Sequence, residues 1–394
     1  MPQTAATRTE IAFVDLKSEF REIQEPVMRN LERVLQQAVF IMGGDVSAFE
    51  QAFASYCEVK HAVGVANGTD ALTLALRATG LQPGDEALVP VNTFIATAEA
   101  VVHCGARPVF VDMDPRTYHL DFEEAVNKIT PRTKVVLPVH LYGQPVDMDR
   151  VMKLARGYGL TVVEDAAQAH GAQYKQKKTG AFGLAGCFSF YPSKNLGCYG
   201  DGGAIVTNDD NLAMKLRKLR EHGGIRKYQH DLVGYNSRLD TMQAAVLLIK
   251  LHHLDEWNRR RRDFARLYSQ LLADVPGVLL PQESNDVSHV YHLYVIQVAG
   301  GLRQELQSYL REQGIQTGIH YPLPLHLTPA FSFLGHRKGD FPRAEEGAPK
   351  LLSLPMHPFL QPSQIEYVAS RISQFMRKAL AKTPPAVTGA RKVE

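Results

Sequence analysis

Cysteine is scarce in this chain. Cys57, Cys104, Cys187 and Cys198 are the only four in 394 residues, and no two share the short spacing of a zinc knuckle or a redox pair. So few thiols in so long a chain also argue against a disulfide framework, and they are read as reduced, cytoplasmic thiols. No run of about 20 apolar residues occurs, which excludes a spanning helix. The opening MPQTAATRTE has no apolar stretch, so no secretory leader is expected. Charge of one sign is missing too: 44 basic against 41 acidic residues leave +3. That surplus gives no reason to expect nucleic acid or an anionic membrane as partner. The run Arg259–Arg262 follows Asp255-Glu256-Trp257 and reads as a solvated or salt-bridged helix face.

What is present is a soluble composition, 45% hydrophobic and 22% charged, in a chain long enough for two or three domain-sized units. Short apolar runs at Ala62–Ala66, Ala87–Pro90, Pro108–Met113, Val135–Leu141, Thr161–Glu164, Cys187–Phe190 and Ala204–Thr207 read as strands. Amphipathic stretches such as Ala71–Ala78 and Met148–Tyr158 lie between them. This alternation predicts an α/β unit with a largely parallel sheet covered on both faces, whose ligands bind beyond the carboxyl ends of the strands. A long helix is expected over Thr241–Ala273, then Pro276 and Pro281, a strand at His292–Val298 and a helix at Arg303–Gln313. We place a boundary near residue 250, giving a large domain over 1–250, a smaller α+β domain over 251–382 and a disordered tail over 383–394.

Three segments carry chemistry. Asn67-Gly68-Thr69-Asp70 follows a strand and opens a helix; its free N–H groups, hydroxyl and helix dipole suit a phosphate, although the same residues also suit a plain helix cap. Glu164-Asp165 ends an apolar strand, where a carboxylate can pair with a cation such as a pyridinium nitrogen and hold it protonated; a helix cap is the plainer alternative. Gly186 to Gly203 places a single lysine, Lys194, after an aromatic strand, with Ser189 five residues earlier. A partly desolvated lysine has a lowered pKa and serves as a nucleophilic amine, whereas an exposed loop lysine among turn glycines would not. In chain order these supply a phosphate cradle, a ring-nitrogen carboxylate, a phosphate serine and an amine.

The stretches FSFYPSKNLGCYGDGGAIVTN and EDAAQAHGA make the chain resemble the sugar aminotransferases of the DegT/DnrJ/EryC1/StrS family, from Phe13 to about Met356. The resemblance implies the aspartate-aminotransferase-like type I fold, with a mainly parallel seven-stranded sheet, and pyridoxal 5'-phosphate as cofactor, with no metal. By it Lys194 matches the lysine joined to the cofactor's aldehyde, Asp165 the pyridinium partner and Gln168 the residue near the phenolic oxygen. Gly68, Thr69 and Ser189 match phosphate ligands, Phe94 the aromatic stacked on the ring, and Asn236 an asparagine reaching the phosphate from the other subunit of a homodimer with shared active sites. The family also holds dehydratases with histidine in place of the lysine, and members first described as regulators; Lys194 and the intact set argue against both. A desulfurase would need a mobile catalytic cysteine, for which no loop is recognisable. The segments His289–Tyr294 and Gly318–Pro322 are similar to the subgroup that aminates C3 of dTDP-linked 3-keto-6-deoxyhexoses, with L-glutamate as donor. Tyr191, Lys227, His320 and Tyr321 are then candidate substrate contacts. Amination at C4, or of UDP- or GDP-linked sugars, shares most of these motifs.

Overall fold

The computed structural model describes residues 10–381; the tail expected over 383–394 lies outside them. Strands β1 (His61–Val65), β2 (Glu86–Pro90), β3 (Arg107–Val111), β4 (Thr133–Val136), β5 (Thr161–Asp165), β6 (Ala185–Ser189) and β7 (Gly203–Thr207) form one seven-stranded sheet in the order β1-β7-β6-β5-β4-β2-β3. β7 pairs antiparallel with β1 and β6, and the remaining pairings are parallel. The strands are apolar and almost wholly buried, as a sheet covered on both faces requires.

Helices α1 (Leu16–Gln37), α2 (Gly44–Tyr56), α3 (Gly68–Thr79), α4 (Ile95–His103), α5 (Phe122–Lys128), α6 (Met148–Tyr158), α7 (Asp210–Arg220) and α8 (Thr241–Leu272) cover and flank this sheet. Their ends follow from sequence. Asp147 caps α6 by accepting from the Arg150 N–H at 3.1 Å, and Gly159 closes it at φ 65°, where a side chain would be strained.

One expected strand is shorter than the apolar run implied. Val135–Leu141 pairs regularly only through Val136, because Pro138 has no N–H to add to the ladder and Tyr142 turns the chain at φ 60°. The backbone still touches β5 there, since the His140 N–H donates to the Asp165 carbonyl at 3.0 Å.

A second sheet of three antiparallel strands (Val278–Leu279, Tyr294–Val298, Leu351–Leu354) packs with helices Arg303–Glu312 and Pro362–Ala381. Residue 250 lies inside α8, which is continuous. Leu247 and Leu254 belong to the core under α2, whereas Ala265, Tyr268 and Leu272 belong to the core of the second sheet. The basic run on α8 is only partly a solvated face. Arg259 and Arg260 pair with Glu256, but Arg261 is buried and donates to the carbonyls of Met356 and Tyr291 at 2.8 and 3.4 Å. Among the described residues no helix is long and apolar enough to cross a membrane, no group of three His, Cys, Asp or Glu side chains could hold a metal, and all four cysteines are free.

Candidate active site

At the carboxyl end of β1 the chain turns into α3. The Asn67 side chain accepts from the Asp70 N–H at 2.8 Å, leaving the N–H groups of Gly68 and Thr69 at a helix start. β6 ends directly against this turn. A Cβ on Gly68 would stand 2.6 Å from the Ser189 Cβ, so only glycine allows the approach. Gly68, Thr69 and Ser189 thus share one cradle, and neither the Thr69 nor the Ser189 hydroxyl is engaged as a donor among the described residues. Ser237 closes its side, donating to Asp70 Oδ2 at 2.6 Å. Asn236, next to it, is exposed.

Asp165 ends β5 and is buried. Its Oδ2 accepts from the Thr97 hydroxyl at 2.7 Å, and its Oδ1 from the Ala167 N–H at 3.1 Å. Burial raises its pKa; Thr97, Ala167 and the charge on Lys194 oppose that rise. A carboxylate so placed gains most from a nearby cation. Glu164, which precedes Asp165 on β5, is a structural hub. It accepts from the N–H groups of Gly180, Phe182 and Gly183, each at 2.7 Å, and lies 3.0 Å from His140 Nε2.

Lys194 follows β6 in a turn held by its own N–H, which donates to the Tyr191 carbonyl at 2.8 Å. Gly197 permits the turn, because a Cβ there would stand 2.3 Å from the Pro192 carbonyl oxygen. From α8, the buried Lys250 donates to the Gly197 carbonyl at 2.6 Å. The Lys194 residue as a whole keeps partial solvent access, while its amine sits deep enough for desolvation to lower its pKa to about 8, against a smaller pull upward from Asp165. Burial of the amine decides its chemistry; the residual access is what a group facing an open cleft would show. The amine has no hydrogen-bond or ion-pair partner among the described residues.

Gln168 accepts from the Tyr142 N–H at 2.7 Å and donates to the Tyr321 hydroxyl at 3.1 Å. The Phe94 ring, half exposed, stands 5.8 Å from that of Tyr321. His320 stacks on Phe13 at 5.7 Å, and burial together with the Lys194 charge lowers it to about 4. Tyr191 is exposed at 56%. Lys227 is not brought to this cluster. It lines a separate groove with Arg217, Arg226, Tyr228 and Ile41. Sequence reasoning assigned nothing to Thr97, His140, Tyr142 or His292. Only Thr97 carried a signal: it stands four residues after Thr93 on one face of the α4 start, and their hydroxyls meet at 3.0 Å.

The residues fit pyridoxal phosphate. There is a cradle that a Cβ would fill, a buried carboxylate in need of a cation, and a desolvated amine with no partner.

Comparison with known proteins agrees. The DegT/DnrJ/EryC1/StrS aminotransferase family profile matches residues 21–373. A pleiotropic regulatory protein of Geobacillus stearothermophilus is 46% identical over 93% of this chain and 99% of its own length. The dTDP-3-amino-3,4,6-trideoxy-α-D-glucose transaminase of Streptomyces venezuelae is 47% identical over 93% of this chain and 97% of its own. Among solved structures, S. venezuelae DesV in complex with a ketimine intermediate superposes with a TM-score of 0.91 at 47% identity, covering 93% of this chain and 98% of that one. On fold, site geometry and family match together, the chain belongs to the DegT/DnrJ/EryC1/StrS aminotransferase family of pyridoxal-phosphate-dependent enzymes.

Proposed function

We propose that the chain transfers the amino group of L-glutamate to the ketone of a nucleotide-linked sugar, with a dTDP-linked 3-keto-6-deoxyhexose as the favoured acceptor. The observation that carries this reading is the unpartnered Lys194 amine, lowered to about 8 and electrostatically coupled to Asp165. The similarity to a dTDP-sugar transaminase supports the sugar substrate. Pyridoxal phosphate, when bound, supplies an aldehyde for amines to condense with and a ring that takes up electrons from a breaking C–H bond.

The chain's own residues do the rest. The N–H groups of Gly68 and Thr69 and the Ser189 hydroxyl hold the phosphate, with Asn236 reaching in from the partner subunit. Asp165 holds the ring nitrogen protonated, Gln168 sits at the phenolic oxygen, and Phe94 covers one ring face. With the cofactor bound, Lys194 would hold its aldehyde carbon, and the freed amine would take the proton from the donor's α carbon, a task suited to a pKa near neutrality. Tyr191, His320 and Tyr321 wall the sugar side. Lys227 serves the partner's site in a homodimer. The exposed apolar side chains of Val39–Met42, Ile225, Tyr228 and Val233 support that assembly, since so much uncovered apolar surface calls for a cover. The place of action is the cytoplasm, and residues 1–250 and 251–382 act as cofactor-binding and small domains.

The test is a visible cofactor band in the purified protein, lost in Lys194→Ala, followed by product analysis with glutamate and a panel of dTDP-, UDP- and GDP-linked 3- and 4-keto sugars. Absence of the band in the wild-type chain would sink the reading and favour a regulatory role, which one relative's name carries. An aminated UDP-, GDP- or 4-keto sugar would replace the favoured acceptor and keep the reaction.

A further inference from the structure

The stretch from Phe190 to Cys198 is a loop closed at its base. The Cys198 N–H donates to the Phe190 carbonyl at 2.8 Å, and the Phe190 N–H to the Gly202 carbonyl at 2.7 Å. Lys194 stands at the middle of the loop. At Gly197 the returning arm lies against Pro192 of the outgoing arm, so closely that no Cβ would fit. A contact that fixes Gly197 therefore fixes both arms.

Helix α8 holds this loop at two points just past Lys194. Asn195 Nδ2 donates to Asn258 Oδ1 at 2.8 Å and to the Val290 carbonyl at 3.0 Å, while its Oδ1 faces His292 Nδ1 at 3.2 Å. About two helical turns before Asn258, Lys250 Nζ donates to the Gly197 carbonyl at 2.6 Å. Lys250 is 1% exposed. Its ammonium also forms an ion pair with Glu19 of α1 and stands 4.2 Å from the centre of the Tyr199 ring. Burial pushes the Lys250 pKa down, and Glu19 opposes that shift. A buried ion pair is a weak source of stability, since apolar side chains of like volume often serve as well. What an apolar side chain cannot supply is a donor for the Gly197 carbonyl.

We propose that Lys250 is a positioning residue: by holding the Gly197 carbonyl it fixes the loop that presents the Lys194 amine to the cofactor, while Glu19 balances its buried charge. The inference rests on Lys194 being the cofactor lysine.

The test follows covalent capture of pyridoxal phosphate by the full chain freed of cofactor, read by visible absorbance against pH, together with Tm. In the wild-type chain capture rises through about pH 8. Lys250→Met removes the donor and leaves Glu19 a lone buried carboxylate, so Tm falls and the plateau rate of capture falls about ten- to a hundredfold. The midpoint stays near pH 8, because burial and the Asp165 charge are what shift the Lys194 amine. The double variant Glu19→Met/Lys250→Met removes the lone charge and regains Tm. It still leaves the Gly197 carbonyl without its donor, so its plateau stays low. The double variant carries the test where Lys250→Met alone does not fold. Recovery of the plateau along with Tm overturns the inference, since Lys250 would then act through stability alone. So does a wild-type plateau in Lys250→Met, or a loss of rate that comes from a moved midpoint. A wild-type chain that captures no pyridoxal phosphate overturns the proposed function as well, whereas normal capture by the wild type and both variants overturns this inference alone.

Discussion

The hydroxyl of Thr97 lies 2.7 Å from Oδ2 of Asp165 and donates to it, joining the first turn of α4 to the end of β5 across 68 residues of chain. Because the single Thr97 proton is used there, the Thr93 hydroxyl, 3.0 Å away, must donate to Thr97. Two buried hydroxyls in series thus end on the carboxylate assigned to the ring nitrogen. They stabilise its charged form against the burial that would neutralise it.

Thr97→Val keeps the shape and removes the donor. A hydrogen bond to a charged group contributes about 1.5–3 kcal/mol, so the turnover rate should fall by roughly one to two orders of magnitude. KM for both substrates should stay within about twofold, since Thr97 has no place to touch either. Steady-state and single-turnover kinetics check this. An unchanged turnover rate would remove Thr97 from the machinery of Asp165.

The lowered Lys194 sets a pH dependence of stability in the cofactor-free chain. Its folded value is about 8, against roughly 10.4 when unfolded. Between these values the unfolded chain binds more protons, so stability rises with pH across that window and the contribution levels off above it. Urea denaturation should show this gain in the wild-type chain, and Lys194→Met should lack it. Parallel curves for the two proteins would mean that the amine is solvated.

Asp165 was legible because it ends a strand with an unmistakable apolar run, and Lys194 because it follows one, and such ends are where an open α/β sheet gathers its ligands. Gly68 and Ser189 were legible as residue types, but their 2.6 Å approach depends on β6 lying where α3 begins, which strand order decides. Thr97, His140 and His292 come to the site from separate segments; the Thr93–Thr97 spacing is the one local mark of Thr97, and nothing local assigns a role to His140 or His292. The mixed charges around Arg259–Arg262 read as one solvated or salt-bridged helix face; Arg259 and Arg260 are charge-paired, yet on a helix the next position turns inward and Arg261 is buried. Asn236 is exposed and Lys227 lines a groove apart from the Lys194 cluster, so nothing in this chain's own fold draws either of them to the site.

Gly68→Ala tests the cradle. Alanine favours a helix over glycine by about 1 kcal/mol. Its Cβ would nevertheless meet Ser189 at 2.6 Å, and such overpacking costs about 1–3 kcal/mol. The net change in Tm should therefore be small, but Ser189 must move off the phosphate position. Pyridoxal phosphate affinity, measured by equilibrium dialysis, should fall at least about tenfold, the effect of one lost charge-assisted hydrogen bond. Equal affinity would place the phosphate elsewhere.

Glu164→Gln should be the most damaging single-atom change near the site, and the reason is a count of donors. His140 Nδ1 accepts from the Val146 N–H at 3.1 Å, so its hydrogen is on Nε2 and points at Glu164. Oε2 therefore receives His140 and Gly180, and Oε1 receives Phe182 and Gly183. An amide has one oxygen. Whichever way it is turned, its NH2 faces two donors inside a fully buried pocket. Breaking such a site costs about 3–5 kcal/mol, a large share of a domain's stability. Because His140 also donates its backbone N–H to the Asp165 carbonyl, the damage should spread to the neighbouring carboxylate. Urea denaturation should show the loss of stability, and the surviving folded fraction should bind pyridoxal phosphate more weakly than the wild-type chain. A variant of wild-type stability would mean that these four donors do not depend on the Glu164 carboxylate.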